Sequence, residues 1–182
     1  LNCFDEVIVA TGVLPRDPKI EGQDMPHVLS YVDVLRGKAQ VGKRVAVIGA
    51  GGIGFDVSEF LVHEGVSTTL DLAEWKEEWG VGDPSETRGG LAPAGPQPDA
   101  PAREVILLQR KAERHGKRLG KTTGWIHRAA LKMKNVEMIG GLALKYLLGK
   151  RLKLMFTSAS QRRQTGLTRW LIRRMDAVVA TS

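Results

Sequence analysis

Three glycines, Gly49, Gly51 and Gly54, have the G-x-G-x-x-G spacing of a loop that binds the pyrophosphate of a dinucleotide. The first permits a tight turn, the second lets backbone N–H groups approach the phosphates, and the third lets the next helix pack closely. Apolar residues 45–48 precede the turn, and residues 55–63 follow it with helical apolar spacing. The alternative is a glycine turn required only for packing. The sequence therefore predicts a phosphate-binding turn, formed by Gly49, Ala50, Gly51, Gly52, Ile53 and Gly54.

Two cations follow the second strand that the sequence predicts. Residues 104–109 have the apolar pattern of a buried strand, which ends at Arg110 and Lys111. In a Rossmann unit this strand end faces the adenosine ribose, where a carboxylate binds the 2′-hydroxyl of NAD and cations suit the 2′-phosphate of NADP. No Asp or Glu occupies this strand end, so the pattern predicts NADPH rather than NADH. Ordinary surface charge is the alternative.

These candidate residues need an α/β fold to position them. We predict a Rossmann-like parallel sheet with helices on both faces. The second strand is delayed by residues 74–103, whose glycine, proline and charge predict a long irregular insertion. Within it, Trp75 and Trp79 are four residues apart and are expected to pack together in a helical turn. The strands expected to be neighbours are residues 44–48, 105–110 and 136–139.

The N-terminal segment has a strand pattern of its own. Residues 5–12 are mainly apolar and end at a glycine, which predicts a buried strand. Pro15 and Pro18 follow and stiffen a connection that cannot be helical. We therefore divide the chain into a crossover segment, a nucleotide-binding domain and a tail, at residues 1–40, 41–141 and 142–182.

Composition limits the class of protein. The 182 residues contain no run of 18 apolar residues and no charged-then-apolar leader, so neither a transmembrane helix nor a signal peptide is expected. Cys3 is the only cysteine, which excludes an internal disulfide, a thiolate zinc site and an iron–sulfur cluster built from this chain alone. We therefore expect a cytoplasmic protein without a metal site of its own.

Charge is distributed unevenly along the chain. Residues 1–102 contain 8 Lys and Arg against 16 Asp and Glu, whereas residues 103–182 contain 19 against 4, which together give the net charge of +7. A basic second half predicts an anionic partner, which is a phosphorylated cofactor, a nucleic acid or acidic surface, or a partner that is now missing. Aromatic residues are only 5% of the chain and no nucleic-acid reader motif occurs, so nucleic acid is the weaker alternative.

No residue has the spacing expected of a catalytic group. Gly120, Lys121 and Thr122 resemble the end of a P-loop, but His115 stands where the first glycine would be. His127 has no carboxylate or cysteine at catalytic spacing, so it is expected to be a surface or packing residue. The chain is therefore predicted to bind cofactor without supplying a catalytic residue.

Several segments resemble flavoprotein reductases that bind two dinucleotides. The string ATG at residues 10–12, with its spaced prolines behind it, resembles the segment of those enzymes that leaves the FAD domain and enters the NAD(P)H domain. The strings VAVIGAGGIGFD, LLQRK and LGKTTGWIHR, with the insertion between them, resemble one group in particular. That group is the 2,4-dienoyl-CoA reductases related to Old Yellow Enzyme, and the resemblance covers residues 1–140.

The resemblance implies that hydride passes from NADPH to FAD and that electrons then reach FMN and an enoyl substrate through an iron–sulfur cluster. FMN, the cluster and most of the FAD site would belong to missing domains of the parent enzyme, so this fragment alone would be inactive and bind cofactor at most. The implied contacts are Gly49, Gly51, Ile53 and Gly54 for the pyrophosphate, Arg110 and Lys111 for the 2′-phosphate, and Ala10, Thr11 and Gly12 for FAD.

Residues 142–182 depart from this pattern and resemble the N-terminal half of a retaining glycosyltransferase of the lipopolysaccharide-core type. One hypothesis, which we favour, is that two unrelated sequences join near Gly140 and Gly141, so that the tail does not complete the flavoprotein fold. The other is that residues 176–181, which echo residues 5–11, are a divergent form of the family's returning strand. Both chain ends are expected to lie within longer proteins.

Overall fold

The computed structural model describes residues 4–12, 14–15, 17, 23–111 and 113–140, together with the backbone of residues 177–180. Its helices and strands, in chain order, are β1 (Val28–Ser30), α1 (Tyr31–Leu35), β2 (Arg44–Ile48), α2 (Gly52–Val62), α3 (Leu72–Trp79), β3 (Glu104–Gln109), α4 (Gly124–Met133), β4 (Glu137–Gly140) and β5 (Ala177–Ala180). The strands form one sheet in the order β1-β5-β2-β3-β4, and every pair is parallel.

The three strands predicted to be neighbours lie side by side in this sheet. β2 pairs with β3 so that Val45 lies opposite Val105, and β3 pairs with β4 so that Leu107 lies opposite Met138. Residues 66–72 supply no strand to the sheet, and a 3-10 turn occupies Thr68–Leu70. The predicted Rossmann-like α/β fold is confirmed.

Buried apolar side chains hold this sheet and its helices together. Helix α2 packs on β2 and β3 and contacts both α1 and α4. Burying one large apolar side chain contributes about 1.5–3 kcal/mol, which is a large fraction of the stability of a small domain. Side chains that are less than 2% exposed include Val45, Val47, Phe55, Val57, Leu61, Leu107 and Leu131.

The beginning of the insertion is helical, which corrects the prediction that residues 74–103 are irregular. Asp71 starts α3 because its carboxylate accepts hydrogen bonds from the N–H groups of Ala73 (2.8 Å) and Glu74 (3.2 Å). Gly80 ends the helix in the left-handed conformation, with φ of 67°. The rings of Trp75 and Trp79 lie 6.4 Å apart, as the four-residue spacing predicts. The prediction failed because proline and glycine dominate only the second part of the insertion.

A buried ion pair attaches α3 to the core. Glu78 Oε1 lies 3.2 Å from Lys134 Nζ, and the two side chains are 9% and 4% exposed. Thr68 Oγ1 donates to Glu78 Oε2 at 2.5 Å, and Lys134 Nζ also donates to the carbonyl oxygen of Asp99 at 3.2 Å. Burial alone would raise the pKa of Glu78, but the bonds from Thr68 and Lys134 and the lysine charge hold that pKa below its usual value. The insertion is therefore an ordered part of the domain.

The N-terminal segment differs from its prediction as a buried strand. No strand occurs within described residues 4–12, and the side chains of Val7, Ile8 and Val9 are 60%, 91% and 79% exposed. A strand needs a neighbour to satisfy its backbone groups, and no described segment pairs with these residues. The apolar pattern of this segment is therefore not matched by burial among the described residues.

The end of the chain corrects a second prediction. Residues 177–180 form β5, which lies between β1 and β2, with Val178 opposite Val28 and Ala46. These four residues add a strand to the sheet, contrary to the expectation that the tail does not complete the fold. Whether they derive from the family's returning strand stays a prediction. The physical reason is that Ala-Val-Val-Ala suits a strand with neighbours on both sides. The rest of the tail, residues 142–176 and 181–182, lies outside the described residues.

Candidate functional site

The predicted phosphate-binding turn connects β2 to α2. Gly49 follows β2 with φ of 119°, a conformation that side chains strongly disfavour. Its N–H donates to the carbonyl oxygen of Leu108 at 3.0 Å, which fixes the turn to the end of β3. Gly51 is the N-cap of α2, with φ of −86° and ψ of −171°. Gly54 is buried in the first turn of α2, where the motif predicts a glycine that lets the helix pack closely.

The N-terminus of α2 has the properties of an anion site. The first N–H groups of a helix have no partner within it, and no described side chain caps this end. The first helical bond runs from the N–H of Phe55 to the carbonyl oxygen of Gly51, at 3.1 Å. A Cβ atom added at Gly51 or Gly52 would meet no described heavy atom within 4 Å. A phosphate therefore fits against the N–H groups of Gly52, Ile53 and Gly54, where the helix dipole also favours negative charge.

The structure brings the two predicted cations to the same edge of the sheet. Ile48, the last residue of β2, lies opposite Leu108 of β3, so Arg110 and Lys111 leave β3 beside the glycine turn. Arg110 is exposed and Lys111 is half-buried. The turn supplies N–H groups and the strand end supplies positive charge, which together suit a nucleotide with an additional phosphate.

Sequence reasoning missed an acidic residue and two cations in the loop that follows. The carboxylate of Glu113 lies 3.9 Å from Lys111 Nζ, 3.6 Å from Lys117 Nζ and 3.7 Å from Arg118 Nε. We call Lys111, Lys117 and Arg118 the basic cluster. The strand end itself carries no Asp or Glu, but the loop that follows places the carboxylate of Glu113 within 4 Å of Lys111. The four-residue spacing between Glu113 and Lys117 was the available signal.

This loop is held firmly against the domain. Gln109 Nε2 donates to the carbonyl oxygens of Lys111 (3.0 Å) and Glu113 (2.6 Å). Gly116 has φ of 69°, and a Cβ atom there would lie 2.9 Å from the ring of Phe55, so only glycine fits this close approach to α2. Arg128 of α4 donates to the carbonyl oxygen of Gly116 at 3.1 Å. The cations are therefore presented on a fixed backbone.

His115 lies beneath the same loop and is 9% exposed. Burial lowers its pKa, and the carbonyl groups of Ile139 and Leu107 offset this only in part. Its Nε2 atom has no hydrogen-bond partner among the described residues. The neutral ring is therefore the form that the fold favours.

This burial predicts a dependence of stability on pH. The folded protein binds the His115 proton less readily than the unfolded chain, whose histidine pKa is about 6.5. The free energy of unfolding is therefore expected to fall as pH drops from 7.5 to 5.5, because the unfolded chain binds more protons. Urea unfolding at both pH values measures this. His115→Gln should remove most of the dependence, whereas His127→Gln should retain it. An unchanged dependence in His115→Gln would contradict the assignment.

The other candidate residues lie apart from this edge. Ala10, Thr11 and Gly12 are exposed in the N-terminal segment, and Gly12 has φ of 84°. His127 Nδ1 lies 3.4 Å from Glu59 Oε2, which joins α4 to α2 and agrees with the expected packing role. Sequence spacing did not reveal Glu59 as its partner, because the two are 68 residues apart. No group of three His, Cys, Asp or Glu in the described part of the chain is arranged to hold a metal ion.

Among the helices that the structure describes, none is long and apolar enough to cross a membrane.

Comparisons with known proteins give two kinds of relative. The chain is 61% identical over 49 residues to the lipopolysaccharide core biosynthesis mannosyltransferase LpcC of Rhizobium leguminosarum. This aligned segment is 27% of this chain and 14% of that protein. It is 41% identical over 66 residues to a cinnamate reductase of Clostridium sporogenes, and the aligned segment is 36% of this chain and 10% of that protein. The chain therefore spans a small part of either relative.

A solved structure supports the fold. A 2-naphthoyl-CoA reductase in complex with 2-naphthoyl-CoA aligns with 95% of this chain and 19% of its own chain, at a TM-score of 0.51 and 19% identity. A family model for pyridine nucleotide-disulphide oxidoreductases matches residues 2–157, which include the glycine turn, the basic cluster and β2 to β4. The chain therefore belongs to the pyridine nucleotide-disulphide oxidoreductase family.

Proposed function

We propose that the chain is the NADPH-binding part of a flavin-dependent reductase. The observation that carries this proposal is the pairing of two features at one sheet edge: the glycine turn with the uncapped N-terminus of α2, and the cations that follow β3. The N–H groups of residues 52–54 would bind the pyrophosphate. Arg110 and Lys111 would bind the 2′-phosphate, because charge-assisted contacts to phosphate are the strong ones.

The rest of the activity is proposed from the resemblance. NADPH bound at this edge would supply a hydride to FAD, and Ala10, Thr11 and Gly12 would contact FAD through a flavin domain beyond this chain. We propose an enoyl or 2,4-dienoyl-CoA substrate, with FMN and an iron–sulfur cluster in the parent enzyme and a cytoplasmic location. This chain supplies binding and orientation alone, so the fragment by itself is not expected to be active.

Gly51→Ala tests the turn directly. Its φ of −86° suits alanine and the added Cβ meets no described atom within 4 Å, so the fold should be retained. The methyl group would stand where the phosphate approaches, so both NADPH and NADH should bind about tenfold more weakly, which corresponds to about 1.4 kcal/mol. Titration calorimetry measures the affinities and thermal unfolding provides the control. Unchanged affinity in a folded variant would contradict a pyrophosphate at this turn.

A second proposal concerns the tail. The 61% identity to a mannosyltransferase over 49 residues favours a segment that shares its origin with lipopolysaccharide-core glycosyltransferases. We propose that residues 142–182 are that segment and that β5 occupies the position of a returning strand. A nucleic-acid module remains the weaker alternative, because the basic cluster lies at the proposed cofactor edge. Sequencing the gene with its flanks tests the tail: an unbroken reductase sequence after residue 182 would contradict a join.

A further inference from the structure

The carboxylate of Glu113 occupies the centre of the basic cluster. Its side chain is 26% exposed, whereas those of Lys111, Lys117 and Arg118 are 41%, 66% and 75% exposed, and all three cations lie within 4 Å of it. The acidic group is thus the inner member and the cations surround it. The cluster already holds one negative charge before any ligand is bound.

The backbone of Glu113 is held by contacts other than these ion pairs. Its carbonyl oxygen accepts the bond from Gln109 Nε2 at 2.6 Å, and three residues later Gly116 packs on Phe55 and accepts from Arg128. These contacts hold the backbone of the loop, so replacing the acid by its amide should leave the loop in place. The cluster lies in the loop after β3, at the sheet edge where the glycine turn ends β2.

We propose that Glu113 is an internal counter-ion that competes with the 2′-phosphate of NADPH for the basic cluster. The proposal rests on the function proposed above. A 2′-phosphate carries a charge of about −1.5 to −2 near neutral pH, and it must displace or repel a carboxylate bound to the same cations. Glu113 thereby weakens NADPH binding and reduces the discrimination between NADPH and NADH, because NADH has no group that enters the cluster.

Two half-ligands isolate this effect. 2′,5′-ADP and 5′-AMP differ only by the 2′-phosphate, so their affinities for the full chain measure the contribution of that group. In Glu113→Gln, 2′,5′-ADP should bind roughly three- to tenfold more tightly than in the wild type, since one nearby like charge is removed. The affinity for 5′-AMP should stay within about twofold. The gain in 2′,5′-ADP affinity should shrink as salt is raised from about 0.05 to 0.5 M, because the screening length falls about threefold over this range.

Glu104→Gln is the matched control. Glu104 lies at the other end of the same strand, where its carboxylate is 3.3 Å from Arg44 and 62% exposed. Both substitutions change the net charge by +1, so a general charge effect would tighten 2′,5′-ADP in both variants and overturn the proposal. Equal or weaker binding of 2′,5′-ADP in folded Glu113→Gln would also overturn it. Failure of the wild type to bind NADPH or either half-ligand would instead reject the proposed function, and this inference with it.

Discussion

Replacing Arg110 and Lys111 together with alanine is expected to weaken NADPH binding at least about 100-fold while leaving NADH affinity within about twofold. Each charge-assisted contact to the 2′-phosphate contributes about 1.5–3 kcal/mol, and about 1.4 kcal/mol corresponds to a tenfold change in affinity. Both cations follow β3 at the edge that carries the glycine turn. NADH lacks the additional phosphate, so its binding should depend on the turn alone. Fluorescence titration of both cofactors against both proteins measures this.

The matched control removes two cations from the opposite end of the strands. Lys43 and Arg44 are exposed and precede or begin β2, one strand length from the glycine turn. Lys43→Ala with Arg44→Ala makes the same change in net charge, so it should leave the NADPH to NADH affinity ratio within about twofold of the wild type. The assignment would be contradicted if the wild type bound both cofactors equally, or if this control lost as much NADPH affinity as the Arg110 and Lys111 variant.

The parts of the fold that the sequence predicts correctly are local. A four-residue apolar run, three spaced glycines and a helical apolar pattern lie within residues 45–63, and each element depends mainly on its neighbours in the chain. The result is β2, the turn and α2 in the expected places. The delayed strand β3 is also recognisable, because its apolar residues stand out against the polar insertion before it.

The features that the sequence did not predict depend on contacts between distant residues. Glu78 and Lys134 are 56 positions apart, and nothing in either local sequence indicates a buried pair. β5 is separated from β2 by most of the chain, and its four residues are too short for their pattern to specify a neighbour. Glu113 lies closer in sequence to Lys111, but the hydrogen bonds that Gln109 Nε2 donates to the carbonyl oxygens of both residues are not evident from the sequence pattern.

In the N-terminal segment the local pattern predicts a strand that the structure does not show. The pattern of residues 5–12 is that of a buried strand, and the family match includes it, yet no described segment covers its apolar side chains. A sequence pattern reports what a segment needs in order to be stable, whereas its burial depends on which partner is present. For this reason the contact of Ala10, Thr11 and Gly12 with FAD stays a prediction.

Lys134→Met is expected to destabilise the fold by about 3–5 kcal/mol, because it leaves the buried carboxylate of Glu78 without its counter-ion. Lys134 is 4% exposed and bonds both Glu78 and the carbonyl oxygen of Asp99, so its loss removes two polar contacts at once. A loss of this size is a large fraction of the stability of a typical domain. Urea unfolding at pH 7 measures it.

The double variant Glu78→Gln with Lys134→Met distinguishes the ion pair from general damage to the core. It removes both charges, while the glutamine can still accept the bond from Thr68 Oγ1, so it should be more stable than Lys134→Met alone.

The contribution of this ion pair to stability should depend on pH in a definite direction. The pKa of Glu78 is held below its usual value of 4.5 in the fold, so its stabilising contribution is present above that pH and is lost as pH falls through the folded pKa. In Lys134→Met the lysine no longer lowers this pKa, and protonation relieves the buried charge. The stability difference between wild type and Lys134→Met should therefore narrow as pH is lowered from 7 toward 4. A difference that stays constant over this range would show that lost packing, rather than the unpaired carboxylate, causes the destabilisation.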